Sequence, residues 1–206
     1  MKTYVYIDGF NMYYRALKNT KYKWLDFMSL CKLLLKPTDT IECIKYFTAI
    51  VNGIGDTDRP IRQKTYIRAL KTYIPELKVY YGKFLTNNIK MPLVNPQNNV
   101  KLAEVIKTEE KGSDVNLAVH LLNDAWLNLY DCAVIISNDS DLLEAIRIVK
   151  VQCKKQIGLF IPEKRHPSVE LIKLADFRKP IRSTVLANSQ LPNPIPNTTI
   201  HKPTSW

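Results

Sequence analysis

Cysteine is scarce in this chain of 206 residues and never clustered: Cys31, Cys43, Cys132 and Cys153 stand apart, with no C-x-x-C pair. Their neighbours are apolar, so they read as buried free thiols, which argues against a disulfide framework and against a cysteine zinc site. Histidine is equally sparse. His120, His166 and His201 are widely spaced, and none forms a ligand pattern with another. No apolar run approaches the roughly 18 to 20 residues that a membrane-spanning helix requires. The opening MKTYVYID enters strand-like sequence at once and leaves no room for the basic, apolar and small-residue regions of a secretory leader. The chain is therefore expected to be cytoplasmic, with no membrane partner. No internal repeat is present.

Acidic residues are also in short supply. Asp and Glu number 19 against 30 Lys and Arg, a formal net charge of +11. A field of that sign concentrates polyanions, and nucleic acid is the default polyanion. With 46% apolar and 24% charged residues, the composition is that of an ordinary globular domain. The length suits one domain with a tail.

Strand and helix patterns alternate along the chain. TYVYID (3–8) reads as a buried strand with a turn at Gly9, and residues 11–17 can open a helix. WLDFMSLCKLLL (24–35) has helical spacing and stops before Pro37, and IECIKYFTAIV (41–51) is a second strand. RPIRQKTYIRALKTYI (59–74) predicts a basic amphipathic helix carrying Arg62, Lys64, Arg68 and Lys71, with Pro60 near its start. LKVYYGKF (77–84) alternates like a strand, and the Asn- and Pro-rich stretch to about residue 100, with Asn98 and Asn99, reads as an irregular loop. Residues 111–129 predict a helix capped by Ser113, with Val115, Ala118, Val119, Leu122 and Trp126 as its apolar stripe. A strand at 133–136, a helix at 142–149, a strand at 155–162 and a short helix within 168–181 follow. From Ser183 the Pro- and Asn-rich sequence reads as a flexible or extended tail, giving a domain over 1–182 and a tail over 183–206. Strands alternating with helices predict a parallel α/β layer.

Carboxylates stand where such a sheet binds its ligands, at the carboxyl ends of the strands. Asp8 closes the first strand, and in AVIISNDSDLLEAI (133–146) Asp139 and Asp141 close the fourth. Asp114 lies in the first turn of the helix at 111–129. Like charges this close are costly unless a cation neutralises them. Magnesium, or manganese, does so with oxygen ligands and retained waters. A plainer role is open to each: Asp8 as a turn residue, Asp139 or Ser140 as a helix cap. Glu109 and Glu110 stand close enough to be spare ligands, although a surface role suits them better.

VYIDGFNMYY, EEKGSDVNLAVHLLNDA and AVIISNDSDLLEAI, in this order and spacing, resemble the three motifs of the NYN domains, the branch of the PIN-like nuclease superfamily that includes LabA-like proteins. The resemblance covers roughly residues 1–177. It implies an α/β three-layer sandwich with a central, mainly parallel sheet of about five strands flanked by helices. It also implies magnesium held by aspartates, and hydrolysis of RNA. Carried over by position, the family's acids fall on Asp8, Asp114, Asp139 and Asp141 and its asparagine on Asn11, with Lys111 before Asp114 in the second motif.

The expected chemistry is metal-assisted phosphodiester hydrolysis by Asp8, Asn11, Asp114, Asp139 and Asp141, with Ser137 and Asn138 orienting them. Lys111, Arg15, Arg62, Lys64 and Arg68 would contact RNA, and Tyr13 and Tyr14 could stack on unpaired bases. Two other classes compete. A nucleic-acid-binding adaptor would keep RNA binding without turnover. A phosphatase with an Asp-x-Asp pair would form a covalent aspartyl-phosphate, but its pair normally follows the first strand, and here that strand ends in DGFN. The sequence is compatible with a homodimer and with a protein partner for the tail.

Overall fold

The computed structural model describes residues 1–97, 100–162 and 168–206. Asn98 and Asn99 of the expected loop, and His166, lie outside the described residues. The chain begins with β1 (Lys2–Asp8), α1 (Gly9–Met12) running into a π-turn (Tyr13–Leu17), α2 (Phe27–Leu34), β2 (Thr40–Thr48), α3 (Arg59–Tyr73) and β3 (Leu77–Tyr81). It continues with β4 (Lys83–Gln97), β5 (Val100–Lys111), α4 (Ser113–Trp126), β6 (Cys132–Ile136), α5 (Leu143–Val151), β7 (Gln156–Pro162), α6 (Val169–Leu174), β8 (Phe177–Ile181) and α7 (Ser183–Asn188).

Six strands form one parallel sheet in the order β3-β2-β1-β6-β7-β8. The expected α/β sandwich is therefore present, with one strand more than foreseen. That strand, β8, pairs only with β7, and as an edge strand it accommodates Pro180. Parallel strands covered on both faces carry unbroken apolar runs rather than alternation. Cys132 to Ile136 illustrate this, each fully buried.

Alternate side chains of the strands feed two cores. Val5, Ile7, Ile44, Val134 and Ile136 face α2, α3 and the C-terminal segment. Tyr6, Phe47, Ala133 and Ile135 face α4 and α5 through Leu117, Leu121, Ile146 and Val149. Each face hides from water at roughly 25 cal/mol per Å² of apolar surface. The face that α4 buries differs from the expected stripe: Leu117, Leu121 and Ala125 are inside, whereas Val115 and Trp126 are 65% and 73% exposed. Apolar residues surround this helix, so periodicity alone does not choose the side. Helix α2 starts later than expected, because Asp26 caps it by accepting from the amides of Met28 and Ser29, leaving Trp24 and Leu25 to pack ahead of it.

Two larger corrections concern segments rich in proline and asparagine. The stretch expected as an irregular loop is the first strand of a long antiparallel hairpin, β4–β5, which forms its own two-stranded sheet. Pro92, opposite Leu102, is the last regular pair before a register shift toward Gln97, a position where an edge strand tolerates proline. The segment from Ser183, expected as a separate flexible tail, packs on the domain. Leu186, Leu191, Ile195 and Ile200 are buried in the first core. Trp24 Nε1 donates to the Pro192 carbonyl at 3.1 Å, and the Leu191 amide donates to the Trp24 carbonyl at 2.9 Å. Irregular backbone can be held this way where its apolar side chains find a groove, without any period in the sequence.

Candidate active site

Strand order reverses between β1 and β6, which are direct neighbours. At such a switch point the loops leave in opposite directions and open a crevice at the strands' carboxyl ends. Asp8 stands at the end of β1 and Ser137-Asn138-Asp139 at the end of β6. Gly9 makes the tight exit possible: a Cβ there would lie 2.7 Å from the Phe47 carbonyl oxygen and 2.8 Å from Tyr46 Cζ.

Asp8 is 5% exposed, and both its oxygens are fixed. The Asn11 amide donates to Oδ1 at 2.8 Å and the Ser137 hydroxyl donates to Oδ2 at 2.9 Å. Burial pushes its carboxyl above the usual range. The Asn11 amide and the Ser137 hydroxyl work against this, and the Asp139 charge works with it. The Ser137 hydroxyl also accepts from the Asp139 amide at 3.1 Å. Asp139 in turn caps the 3₁₀ turn Ser140–Leu142 by accepting from the Asp141 amide at 3.0 Å. Both strand-end acids therefore do serve as caps, each with one oxygen, and the cap holds the carboxylate in place. Asn11 and Asn138 join the two loops. The Asn138 amide donates to Asn11 Oδ1 at 3.2 Å, and Asn138 Oδ1 accepts from the Ser168 amide at 2.6 Å.

Asp114 arrives from the start of α4. Gly112 precedes this helix in the left-handed region, with φ of 98°, a conformation that favours glycine. Glu110 closes the helix start by accepting from the Ser113 hydroxyl at 2.8 Å and the Ser113 amide at 3.2 Å. The strand ahead must pass very near: a Cβ on Gly82 would sit 2.6 Å from the Lys111 carbonyl oxygen. Asp114 is half-buried, and its carboxyl is pushed up to about 6 by burial, then by the charges of Asp8, Asp139, Glu110 and Asp141.

These groups line one open cleft of about 400 Å³, walled by Asp8, Asn11, Asp114, Asp139, Glu110 and Arg15 together with Phe10, Tyr14 and Phe84. Phe10 and Phe84 meet edge-on with ring centroids 5.6 Å apart, which fixes the hairpin against α1. Ser137 and Asn138 stand behind the acids. The other residues expected at the site lie elsewhere. Asp141 is exposed and off the cleft wall, although its charge reaches Asp114. Lys111 pairs with Glu109 at 3.3 Å, both at the surface. Arg62 pairs with Asp56 and faces a neighbouring cavity. Lys64 and Arg68 line a shallow groove on α3 with Lys71 and Tyr81. Phe10 and Phe84 were not foreseen, and Glu110, expected as a spare ligand or a surface residue, stands on the cleft wall. Only Glu110 left a signal, three residues before the helix-opening Ser113.

Among the described residues, no three His, Cys, Asp or Glu side chains close up into a ready metal cage. The carboxylates on the cleft wall nonetheless offer oxygen donors, and the negative charge that adds to burial in raising Asp114 is what a hard cation relieves. Ions of this kind keep several waters, so widely set carboxylates suit them better than a closed cage would.

The NYN domain family model matches residues 2–181. A curated relative, the 6-hydroxy-3-succinoylpyridine 3-monooxygenase HspA of Pseudomonas putida, is 34% identical across 100% of this chain and 75% of its own length. A crystal structure of a protein of unknown function from Vibrio parahaemolyticus shares the fold, with a TM-score of 0.61 at 16% identity, covering 92% of this chain and 96% of that one. Matched from Lys2 to Ile181, the chain belongs to the NYN domain family, a branch of the PIN-like nuclease superfamily.

Proposed function

We propose that this protein is a metal-dependent ribonuclease that hydrolyses RNA phosphodiester bonds, with Asp8, Asp114 and Asp139 holding Mg²⁺, for which Mn²⁺ can substitute. Family membership supports nuclease-type chemistry and nucleic-acid binding. The observation that carries the finer reading is the meeting of three carboxylates from three separate elements in one cleft at the sheet's switch point. The chemistry a hard divalent ion supplies in such a site is acidification of a bound water and neutralisation of charge on phosphate and leaving oxygen. The protein's own groups prepare the rest. Asn11 and Ser137 hold Asp8 in one orientation before any ligand arrives. Asp114, whose carboxyl burial and neighbouring charge push up to about 6 in the metal-free protein, would give up that proton as the ion binds. Arg15 on the cleft wall meets a phosphate. Asp141 adds negative charge from outside the wall. The net charge of +11 draws RNA in, so affinity falls as salt rises.

The test is cleavage of single-stranded and structured RNA with Mg²⁺, Mn²⁺ or EDTA, alongside Asp8→Asn and Asp139→Asn. Activity should need the metal and fall by about 100-fold or more in each variant. Cleavage in EDTA, or full activity in both variants, refutes the reading, and RNA binding without turnover indicates an adaptor.

A second reading has one observation in its favour. Beside the cleft lies a cavity of about 320 Å³ lined by aromatic and basic residues, of a size to hold a small aromatic acid, and the relative named above is a monooxygenase of a succinoylpyridine. Such an activity needs O₂ and a reductant: one oxygen atom enters at the ring carbon that bears the succinoyl group, and the bond from that carbon to the side chain breaks with the side chain leaving as an aldehyde. The other oxygen atom leaves as water, and four electrons, two hydride equivalents, are consumed. Consumption of NADH and O₂ dependent on 6-hydroxy-3-succinoylpyridine would favour it.

A further inference from the structure

The cavity next to the acid cleft is built differently from the cleft itself. Tyr13, Tyr46, Tyr66 and Trp206 give it aromatic walls, and the Trp206 ring packs edge-on against Tyr66 at 5.0 Å and Trp24 at 6.0 Å. The cations at its rim fall into two kinds. Arg62 is neutralised by Asp56, whereas Lys18, Lys23 and Arg59 have no ion pair with a carboxylate among the described residues. Lys18 rests its ammonium 5.0 Å from the Tyr14 ring centre. Phe10 and Tyr14 line both the cavity and the cleft, so the two spaces are neighbours that share a wall.

Flat apolar walls with unpaired cations at the mouth suit a planar ring that carries an anionic group. The volume, about 320 Å³, is at the lower end of small-molecule pockets and fits a single nucleotide. We propose that this cavity is a nucleotide subsite: a base of single-stranded RNA enters between the aromatic walls while Lys18, Lys23 and Arg59 meet its phosphate, and the adjoining phosphodiester lies in the acid cleft. The choice of a nucleotide as occupant rests on the nuclease reading. Base identity is read weakly. The Gln63 amide, on the cavity wall, already spends both its hydrogens on the Thr48 hydroxyl and the Ala49 carbonyl, and its oxygen accepts from the Val51 amide. The Tyr66 hydroxyl is committed to the Leu25 carbonyl at 2.8 Å. Stacking then dominates, and every base offers a π-face.

Isothermal titration of the EDTA-treated protein with adenosine and uridine 5′-monophosphate, ribose 5-phosphate and 6-hydroxy-3-succinoylpyridine tests this. Both nucleotides should bind within a few-fold of one another, and ribose 5-phosphate at least about tenfold more weakly, for want of a base to stack. The surface pair Lys23→Ala and Arg59→Ala together should weaken nucleotide binding about tenfold or more, and Tyr13→Leu should weaken it while preserving the apolar volume. Absence of nucleotide binding, equal binding of ribose 5-phosphate, or tighter binding of the succinoylpyridine overturns the subsite. RNA cleavage is read separately on the same preparation after Mg²⁺ is restored in excess of the chelator. Cleavage without nucleotide binding refutes the subsite alone, and nucleotide binding without cleavage supports the subsite while removing the nuclease reading.

Discussion

Asp114 is where the electrostatics of the cleft become measurable. Its carboxyl titrates at about 6 in the folded protein against an ordinary value of 3.8, so the folded state binds this proton more tightly than the unfolded chain does. The group's contribution to stability is fully present below about pH 4 and is lost as pH rises through about 6. Asp114→Asn should therefore raise the Tm of the metal-free protein at pH 8, with the gain shrinking by pH 5, and Mg²⁺ should stabilise the wild type more than the variant. A Tm difference independent of pH would mean that neither burial nor the neighbouring charges raise this carboxyl. Asp8, Asp114 and Asp139 were legible in the sequence because each follows an apolar run or opens a helix, where a side chain has few places to go. Asp141 was not separable from Asp139 on sequence alone, since only the geometry of the 3₁₀ turn turns it toward solvent. Phe10 was invisible for another reason: an aromatic beside a motif reads as core until its partner, Phe84, arrives from a distant hairpin.

Between elements, one buried ion pair ties three of them together. Lys45 of β2 lies 2.5 Å from Asp124 of α4, with side chains only 7% and 4% exposed, and the Tyr6 hydroxyl of β1 donates to the same Asp124 oxygen at 2.7 Å. Burial, then the charge of Lys45, holds the neighbouring His120 below its ordinary value, so its ring nitrogen 3.3 Å from the ammonium is available as an acceptor. Lys45→Met leaves Asp124 buried without a counter-charge and should cost about 3–5 kcal/mol in equilibrium urea unfolding. Asp124→Leu added to it should recover part of the loss, because an apolar pair needs no desolvation. A cost under about 1 kcal/mol for Lys45→Met would show that water reaches the pair. Sequence patterns reveal the sheet better than they reveal such ties. The β-branched runs ending in Asp8 and Ile136 mark their strands because buried parallel strands leave continuous apolar sequence. The β4–β5 hairpin carries Asn87, Asn88, Pro92 and Pro96 with little burial to impose a pattern, and its shape comes from ladder pairing that composition conceals.

At the scale of the whole molecule the C-terminal segment decides whether the first core is closed. Its apolar residues Leu186, Leu191, Ile195 and Ile200 follow neither a helical nor a strand period, which is why the sequence suggests a tail, yet all four are buried. Burying a side chain of this size stabilises by roughly 1.5–3 kcal/mol, and a domain's whole stability is about 5–15 kcal/mol. Four such side chains are therefore comparable to the margin by which the protein stays folded. Their removal would also uncover Trp24 and Tyr66, which pack against Trp206. A chain ending at Arg182 should lose its cooperative thermal transition and its near-ultraviolet circular dichroism. Trp206→Ala in the full chain should keep both with a Tm lowered by a few degrees, since it takes away one wall of the cavity and leaves the core closed. If the truncated chain instead melts cooperatively within a few degrees of the full one, the segment is an appendage, and the core on that face of the sheet is complete without it.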